Sequence, residues 1–487
     1  MKMIPFSDLD LPSGRVIEWT LRRASAMSTA PVFESKNPAS ITQQFHYANA
    51  EGTRERQERL FFWLGATFQI SRSSSRSSLP VDLDALRAAF QHLVVRHEML
   101  RAEFGMDGAV LQCRILAPQN VILDEAELGA FDDPVALRTM LMDRIDRTLD
   151  TRDGPLMVMG VVVGEERSVA YIAYDHLITD AISSAITANE LGIAYEAIAA
   201  GVPVELPKVG RSVDFGTWQR SHCASLEAGD PRLERWRGFV SRNRQLFTEF
   251  PIDLQVPPGQ PHPAANDTMQ LLDEAESQLL ERVCRKHDVS LYAGLTAATG
   301  IALHELCGVS EVRIMMPLAA RKSSEWAEAL GYLTNFVPLE FPVTGVDQFP
   351  ATLRAAHTAF RNALQLADLP LAAVFPHVMH LIAGGRVPGP TYGISFIDYR
   401  KLMGAERSRR WQPTTFMRSS HSLGAPIWYF RTWDGVYMFS SFIDTPHAIQ
   451  ARDRYRLAIR RVLLKIAAAA REDVSPPSTN REACVAS

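Results

Sequence analysis

Hydrophobic and polar positions follow two different periods along this chain. Leu83, Leu86, Phe90, Leu93 and Val94 recur at the spacing of one helix face, with Asp82 placed to cap the first turn. Met157–Val163 and residues 168–174 are instead short apolar runs rich in β-formers. Residues 164–167 form a link short enough to close them into an antiparallel hairpin. The pattern predicts a helix over residues 181–200 that ends at Gly201, where glycine suits the cap. It predicts further helices over 274–286 and 292–306 and strands over 312–316 and 393–398. A last hairpin joins 427–430 to 436–443 through Asp434-Gly435. Helices and strands do not alternate regularly, so the expectation is an α+β fold with mixed sheets flanked by helices.

Breaks in the pattern suggest loops. The serine-rich stretch 71–78 cannot bury anything and reads as a mobile loop, and the tail 473–487 reads as disordered. The proline-rich stretches 202–209 and 251–263 read as loops because proline removes ladder donors. No repeat at a period of 20–50 residues is visible. At 487 residues the chain is too long for one ordinary core. A division near residue 220 gives an N-terminal part, 1–220, and a C-terminal part, 221–472.

Composition narrows the function. Lys and Arg number 51 against 55 Asp and Glu, a net charge of −4, so neither nucleic acid nor an anionic membrane is the expected partner. Residues 1–15 carry Asp8 and Asp10 and lack the apolar centre of a signal peptide. The five cysteines are scattered, which fits reduced thiols in a cytoplasmic protein without disulfides or a zinc site.

The candidate chemistry lies in Tyr174-Asp175-His176-Leu177-Ile178-Thr179-Asp180-Ala181. A strand runs into Asp175-His176, and a helix begins after Asp180. A neutral imidazole at a strand end is a good base near neutral pH for an alcohol or amine attacking a thioester. Asp180 serves equally well as a plain N-cap, so these residues alone leave catalysis and capping both open. Other chemistries lack their residues: no G-x-S-x-G elbow, no Walker loop and no G-x-G-x-x-G is present. His97-Glu98 and His304-Glu305 each lack the second histidine of a zinc-protease helix.

Asp175-His176-x-x-x-Asp180-Ala181 resembles the HHxxxDG motif of non-ribosomal peptide condensation domains and chloramphenicol-acetyltransferase (CAT)-like enzymes. Four further stretches follow in that superfamily's order. Arg96-His97-Glu98-Met99-Leu100-Arg101 is similar to RHExLR, and Asp153-Gly154-Pro155-Leu156 to the GPL before the active-site hairpin. Asp214 to Arg220 is similar to YxDYAxWQ, and Pro317 to Arg321 with Gly331 to Asn335 to P…R…GFFVN. Residues 394–400, with Ser395, resemble a strand of the polyketide-associated (Pap) acyltransferases. Two positions depart from the motif. Asp175 replaces the first histidine, as is common in the Pap branch, and Ala181 replaces the glycine, where a methyl group narrows the backbone approach.

The resemblance implies two CAT-like subdomains in a V with the site in a tunnel at their junction. It implies His176 as catalytic base, Asp180 paired structurally with Arg321, and Asp175, Ala181, Asn335, Ser395 and Trp218 as possible lining. His97, Arg101 and Asp214 are expected to serve packing. It implies no metal and no resident cofactor, because the phosphopantetheine arrives on the donor. The implied partners are an acyl or peptidyl carrier protein in trans, or acyl-CoA, and a small-molecule acceptor, with the enzyme a monomer. The chain is expected to be free-standing, without an attached carrier or adenylation segment, which favours a tailoring acylation, ester formation before amide. A catalytically silent carrier-binding domain and a thioester hydrolase are the alternatives.

Overall fold

The computed structural model describes residues 1–23, 32–55, 62–71, 81–257, 260–321, 323–383, 392–402 and 404–472. Its main N-terminal sheet has seven strands, in the order Lys2–Pro5, Thr414–Ser419, Phe62–Ser71, Arg167–Asp175, Met157–Val163, Gly14–Arg23 and Val121–Phe131. Only the first pair is parallel. The predicted hairpin is its centre, with Met157 facing Tyr174 and Val163 facing Ser168. Its side chains alternate between two cores, because successive strand residues point to opposite faces. Met159, Val161, Ile172 and Tyr174 join the core shared with helices Leu83–Arg96 and Ala181–Ala200. Val158, Val162, Tyr171 and Ala173 join the core with Leu137, Leu141 and Ile145 of helix Pro134–Thr148. A sheet covered on both faces reads as a continuous apolar run, and the sequence shows one.

The larger C-terminal sheet has the order Ile394–Asp398, Ile427–Thr432, Gly435–Ile443, His262–Asp273 and His421–Ser422. A two-stranded antiparallel ladder pairs Glu311–Ala319 with Thr334–Pro342, and it meets the larger sheet through a bridge from Met315 to Gly393. Helices Pro231–Asn243, Glu274–Lys286, Leu291–Cys307, Phe349–Leu364, Leu371–Val378 and Pro446–Glu472 all contribute to the core around these sheets. A three-stranded sheet, in the order Phe33–Pro38, Val110–Leu116, Ala102–Asp107, lies beside the first helical layer.

The predicted caps form. Asp82 accepts from Ala85 N at 3.0 Å, and Gly201 closes its helix with φ of 71°. The expected loop over 251–263 is shorter than read, because strand His262–Asp273 begins inside it. Its Pro263 stands at the second position of the strand, opposite His421 of a two-residue strand, and accepts from Asp444 N at 2.7 Å, a strand-end place that proline tolerates. Residues 202–209 are irregular. Residues 72–78 of the serine-rich stretch and the tail 473–487 lie outside the described residues. Residue 220 falls inside helix Ser212–Ala224. Strand Thr414–Ser419 returns from the C-terminal part and inserts between the N-terminus and Phe62–Ser71. The seam between the parts is therefore continuous core, in which Met3, Leu64, Ala185 and Met417 pack with Tyr399, Phe430, Tyr437 and Phe439.

Candidate active site

Strand Arg167–Asp175 delivers a five-residue turn, His176 to Asp180, to the start of helix Ala181–Ala200. Every side chain of this turn except that of His176 is buried: Leu177 and Ile178 enter the core, and Thr179 and Asp180 are sealed. Each apolar anchor is worth about 1.5–3 kcal/mol by burial. The turn therefore holds one conformation and presents one partly exposed imidazole.

The His176 ring is fixed by its own turn. Its Nδ1 lies 2.7 Å from the Thr179 carbonyl oxygen. A carbonyl only accepts, so Nδ1 carries the proton and Nε2 keeps a free lone pair in the neutral ring. Phe62 stacks on the ring at 4.9 Å and Tyr332 packs at 4.2 Å between centroids. Burial, and after it the neighbouring His46 imidazole, lowers the pKa of His176 to about 4. The ring is a neutral base throughout the physiological range.

Asp180 is the hub behind that base. Arg321 donates to it through both terminal nitrogens, at 2.7 and 2.9 Å. Ser183 N and Oγ donate at 2.9 Å each, and Leu333 N at 3.2 Å. Burial alone would raise this carboxyl, but Arg321 and the Ser183 donors outweigh it and hold the pKa below the usual range. With its lone pairs committed, Asp180 has no part in proton transfer. It joins the turn, the helix start and the 329–334 segment into one rigid unit.

Asp175, the residue before His176, is buried as well. Thr151 Oγ1 donates to it at 2.6 Å and Leu177 N at 2.8 Å, and His46 Nε2 stands 3.5 Å away. Burial pushes Asp175 up, and the His46, Thr151 and Leu177 contacts more than reverse it. Ala181 opens the helix next to Asp180 and packs against the seam core. Asn335 spends all its groups on backbone: it donates to Ala367 O and Leu369 O and accepts from Phe336 N and Leu371 N. It thus ties strand Thr334–Pro342 to residues 367–371. Trp218 lies in a separate aromatic cluster with Phe215, Trp326 and His222. Ser395 sits in register with Trp428. Neither makes a hydrogen bond or ring contact with His176 among the described residues.

The other matched stretches prove to be braces. Arg96 and His97 both grip the buried Glu190 of helix Ala181–Ala200, at 2.9 and 2.7 Å. Glu98 accepts from Val213 N at the start of helix Ser212–Ala224. Arg101 donates to Glu34 and to Leu116 O. His304 spends Nδ1 on Val309 O. Three residues of the site went unnoticed in the sequence: Phe62, Thr151 and His46, from helix Ile41–Glu55. Tyr332 stood in a matched stretch but was not singled out.

The arrangement of mixed sheets and helices around the His176 turn is shared with solved proteins. The fold matches that of a PapA2 acyl transferase with TM-score 0.81, at 21% identity, over 96% of this chain and 100% of that one. It matches the first condensation domain of the calcium-dependent antibiotic synthetase with TM-score 0.67, at 18% identity, over 89% and 97%. The chain belongs to the condensation-domain family, whose model matches residues 68–379. Acyltransferase PapA3 of Mycobacterium tuberculosis is 25% identical over 381 residues, 76% of this chain and 78% of that protein. The 2'-acyl-2-O-sulfo-trehalose (hydroxy)phthioceranyltransferase PapA1 of Mycobacterium bovis is 26% identical over 335 residues, 67% of this chain and 63% of that one. The chain is an acyltransferase of condensation type. No helix among the described residues is long and apolar enough to cross a membrane.

Proposed function

We propose that this enzyme moves an acyl group from a thioester, carried on a carrier protein in trans or on CoA, to the hydroxyl of a small acceptor. The observation that carries the reading is the Nδ1 contact of His176 to Thr179 O, which leaves Nε2 bare on a rigid turn. Nε2 takes the hydroxyl proton as the oxygen attacks the thioester carbonyl, and returns it to the departing thiolate. Much of the acceleration comes from holding donor and acceptor together. No acyl-enzyme is required, and Asp180 and Arg321 act by keeping the turn in place. An amine in place of the hydroxyl follows the same course to an amide. The site works as a monomer in the cytoplasm, with the two parts of the chain as CAT-like subdomains around the acceptor and donor channels.

The test is a panel of acyl-CoA and acyl-carrier thioesters with alcohol, sugar and amine acceptors, trehalose among them, read by mass spectrometry. Wild type forms a conjugate and His176→Ala does not. Free acid without conjugate would make the protein a thioester hydrolase. Carrier binding without either product would make it a silent carrier-binding domain. Full conjugate from His176→Ala would end the base assignment.

A further inference from the structure

The mechanism just described leaves His46 unused, yet the fold places it with care. Ile41 N donates to Gln219 Oε1 at 2.8 Å, and Gln43 Nε2 donates to Leu177 O at 3.0 Å. Gln44 Oε1 accepts from Arg220 at 2.6 Å, and Phe45 packs on Phe375 at 5.6 Å. The helix that carries His46 is thus pinned on the residues just before it. The ring stands 5.8 Å from that of His176 and edge-on to Tyr332 at 5.7 Å. Its side chain is 23% exposed while that of its partner Asp175 is 4% exposed.

In a neutral imidazole, a buried carboxylate facing one nitrogen keeps the proton on that nitrogen and leaves the other bare. Asp175 faces Nε2 of His46, so Nδ1 is the bare one. Nδ1 has no hydrogen-bond partner among the described residues, and the ring is not sealed. Tying the helix to the strand end is already achieved by Gln43. Two neighbouring imidazoles therefore each offer a lone pair, one oriented by Thr179 O and one by Asp175.

Building on His176 as base, we infer that His46 is an acceptor-positioning residue, whose Nδ1 accepts a hydrogen bond from a second donor group adjacent to the reacting hydroxyl. The reacting O–H gives its proton to His176 Nε2 while its oxygen bonds to the thioester carbon and the carbonyl pair moves to oxygen. The C–S bond then breaks, and the thiolate takes the proton back from His176. His46 exchanges no proton; it fixes the direction from which the hydroxyl approaches. Acceptors with a neighbouring hydroxyl or amine are preferred over those with one isolated hydroxyl.

Two measurements on the full chain test this. Nitrogen-15 spectra of histidine-labelled protein at about pH 8.5, where imidazole is neutral, report the tautomers, with His46→Phe and His176→Ala giving the assignments. The proton is expected on Nε2 of His46 and on Nδ1 of His176, and Asp175→Asn is expected to release the first preference only. With octanoyl-CoA as donor, wild type is expected to favour 1,2-octanediol over 1-octanol by about tenfold in kcat/KM, one hydrogen bond's worth. His46→Phe is expected to erase that preference through KM, with an unchanged melting temperature. A proton on Nδ1 of His46, no preference for the diol in wild type, or a preference kept by His46→Phe would each overturn the inference. If neither alcohol is turned over, the tautomer alone decides. Transfer surviving in His176→Ala would defeat the base reading, whereas its loss there together with an intact diol preference in His46→Phe defeats only the role of His46.

Discussion

Removing Arg321 is the sharpest perturbation of the site that leaves its base untouched. In Arg321→Ala, Asp180 loses two charge-assisted hydrogen bonds, of 2.7 and 2.9 Å, in a place where both side chains are almost sealed at 5% and 4% exposure. Breaking a buried pair from one side costs about 3–5 kcal/mol, because the remaining charge stays desolvated. Asp180 keeps Ser183 N, Ser183 Oγ and Leu333 N, which places the loss at the lower end, about 3 kcal/mol. The pH dependence carries the sign. In wild type the Asp180 pKa is depressed, so its contribution is complete above the unfolded carboxylate range and is lost only as pH falls through the lower folded value. In Arg321→Ala the largest lowering contact is gone while the Ser183 donors remain, so the pKa rises relative to wild type and the variant's deficit against wild type narrows as pH falls from about 7 to about 4. Urea unfolding at both pH values measures this, with Asp180→Asn and Asp180→Asn/Arg321→Met completing a cycle. A loss under about 1 kcal/mol, or additive single effects, would refute the coupling. A deficit against wild type that widens on acidification would refute the electrostatic account.

Other outcomes follow from the same geometry. With the His176 pKa lowered to about 4, about nine-tenths of the base is free at pH 5, against a few per cent for an ordinary histidine. The acid limb of kcat/KM for a neutral acceptor should therefore fall near pH 4, and a limb near 6.5 in a pH–rate profile would contradict the environment described. Asn335→Ala removes four backbone hydrogen bonds. It should cost about 2–4 kcal/mol in chemical denaturation, since buried backbone groups are left unpaired. Gly65→Ala would drive a methyl group into the Ile172 carbonyl and the Phe416 ring. It should loosen strand Thr414–Ser419 and lower stability by about 1–3 kcal/mol, with faster hydrogen exchange in 414–419 than in 435–443 as its signature.

The sequence was legible where one pattern sufficed. The central hairpin is buried on both faces, and its apolar run is unbroken. Strand His262–Asp273 carries Pro263, Asn266 and Asp267 and is mostly half-buried, so nothing in its pattern distinguishes it from a loop. It becomes a strand because Gly435–Ile443 supplies the ladder partner along nearly its whole length. Strands Lys2–Pro5 and Thr414–Ser419 are short and lie far apart in sequence. Their pairing is a tertiary fact that local periodicity does not carry. Within the site, His176 and Asp180 were found because they share one turn. Arg321 was found only through the family pattern. Asp175 gains its meaning from Thr151 and His46, which sit on other elements, and a lone histidine in a helix announces nothing.

The braces explain why so much of the matched pattern performs no chemistry. Glu190 holds Arg96 and His97 from one helix of the same layer, and Glu98 holds the start of Ser212–Ala224. That helix in turn supplies Gln219 and Arg220, which fix helix Ile41–Glu55. Gln43 of that helix closes the circuit on Leu177 O, beside the base. These matched stretches are thus successive links of one loop of contacts that begins and ends at the His176 turn. Such a loop tolerates little change in the residues that make it, since a displacement of about 1 Å at the base costs about a hundredfold in rate. Recognisable motifs therefore report the reaction class, and the chemistry of the acceptor is written instead in side chains such as His46 that no motif contains.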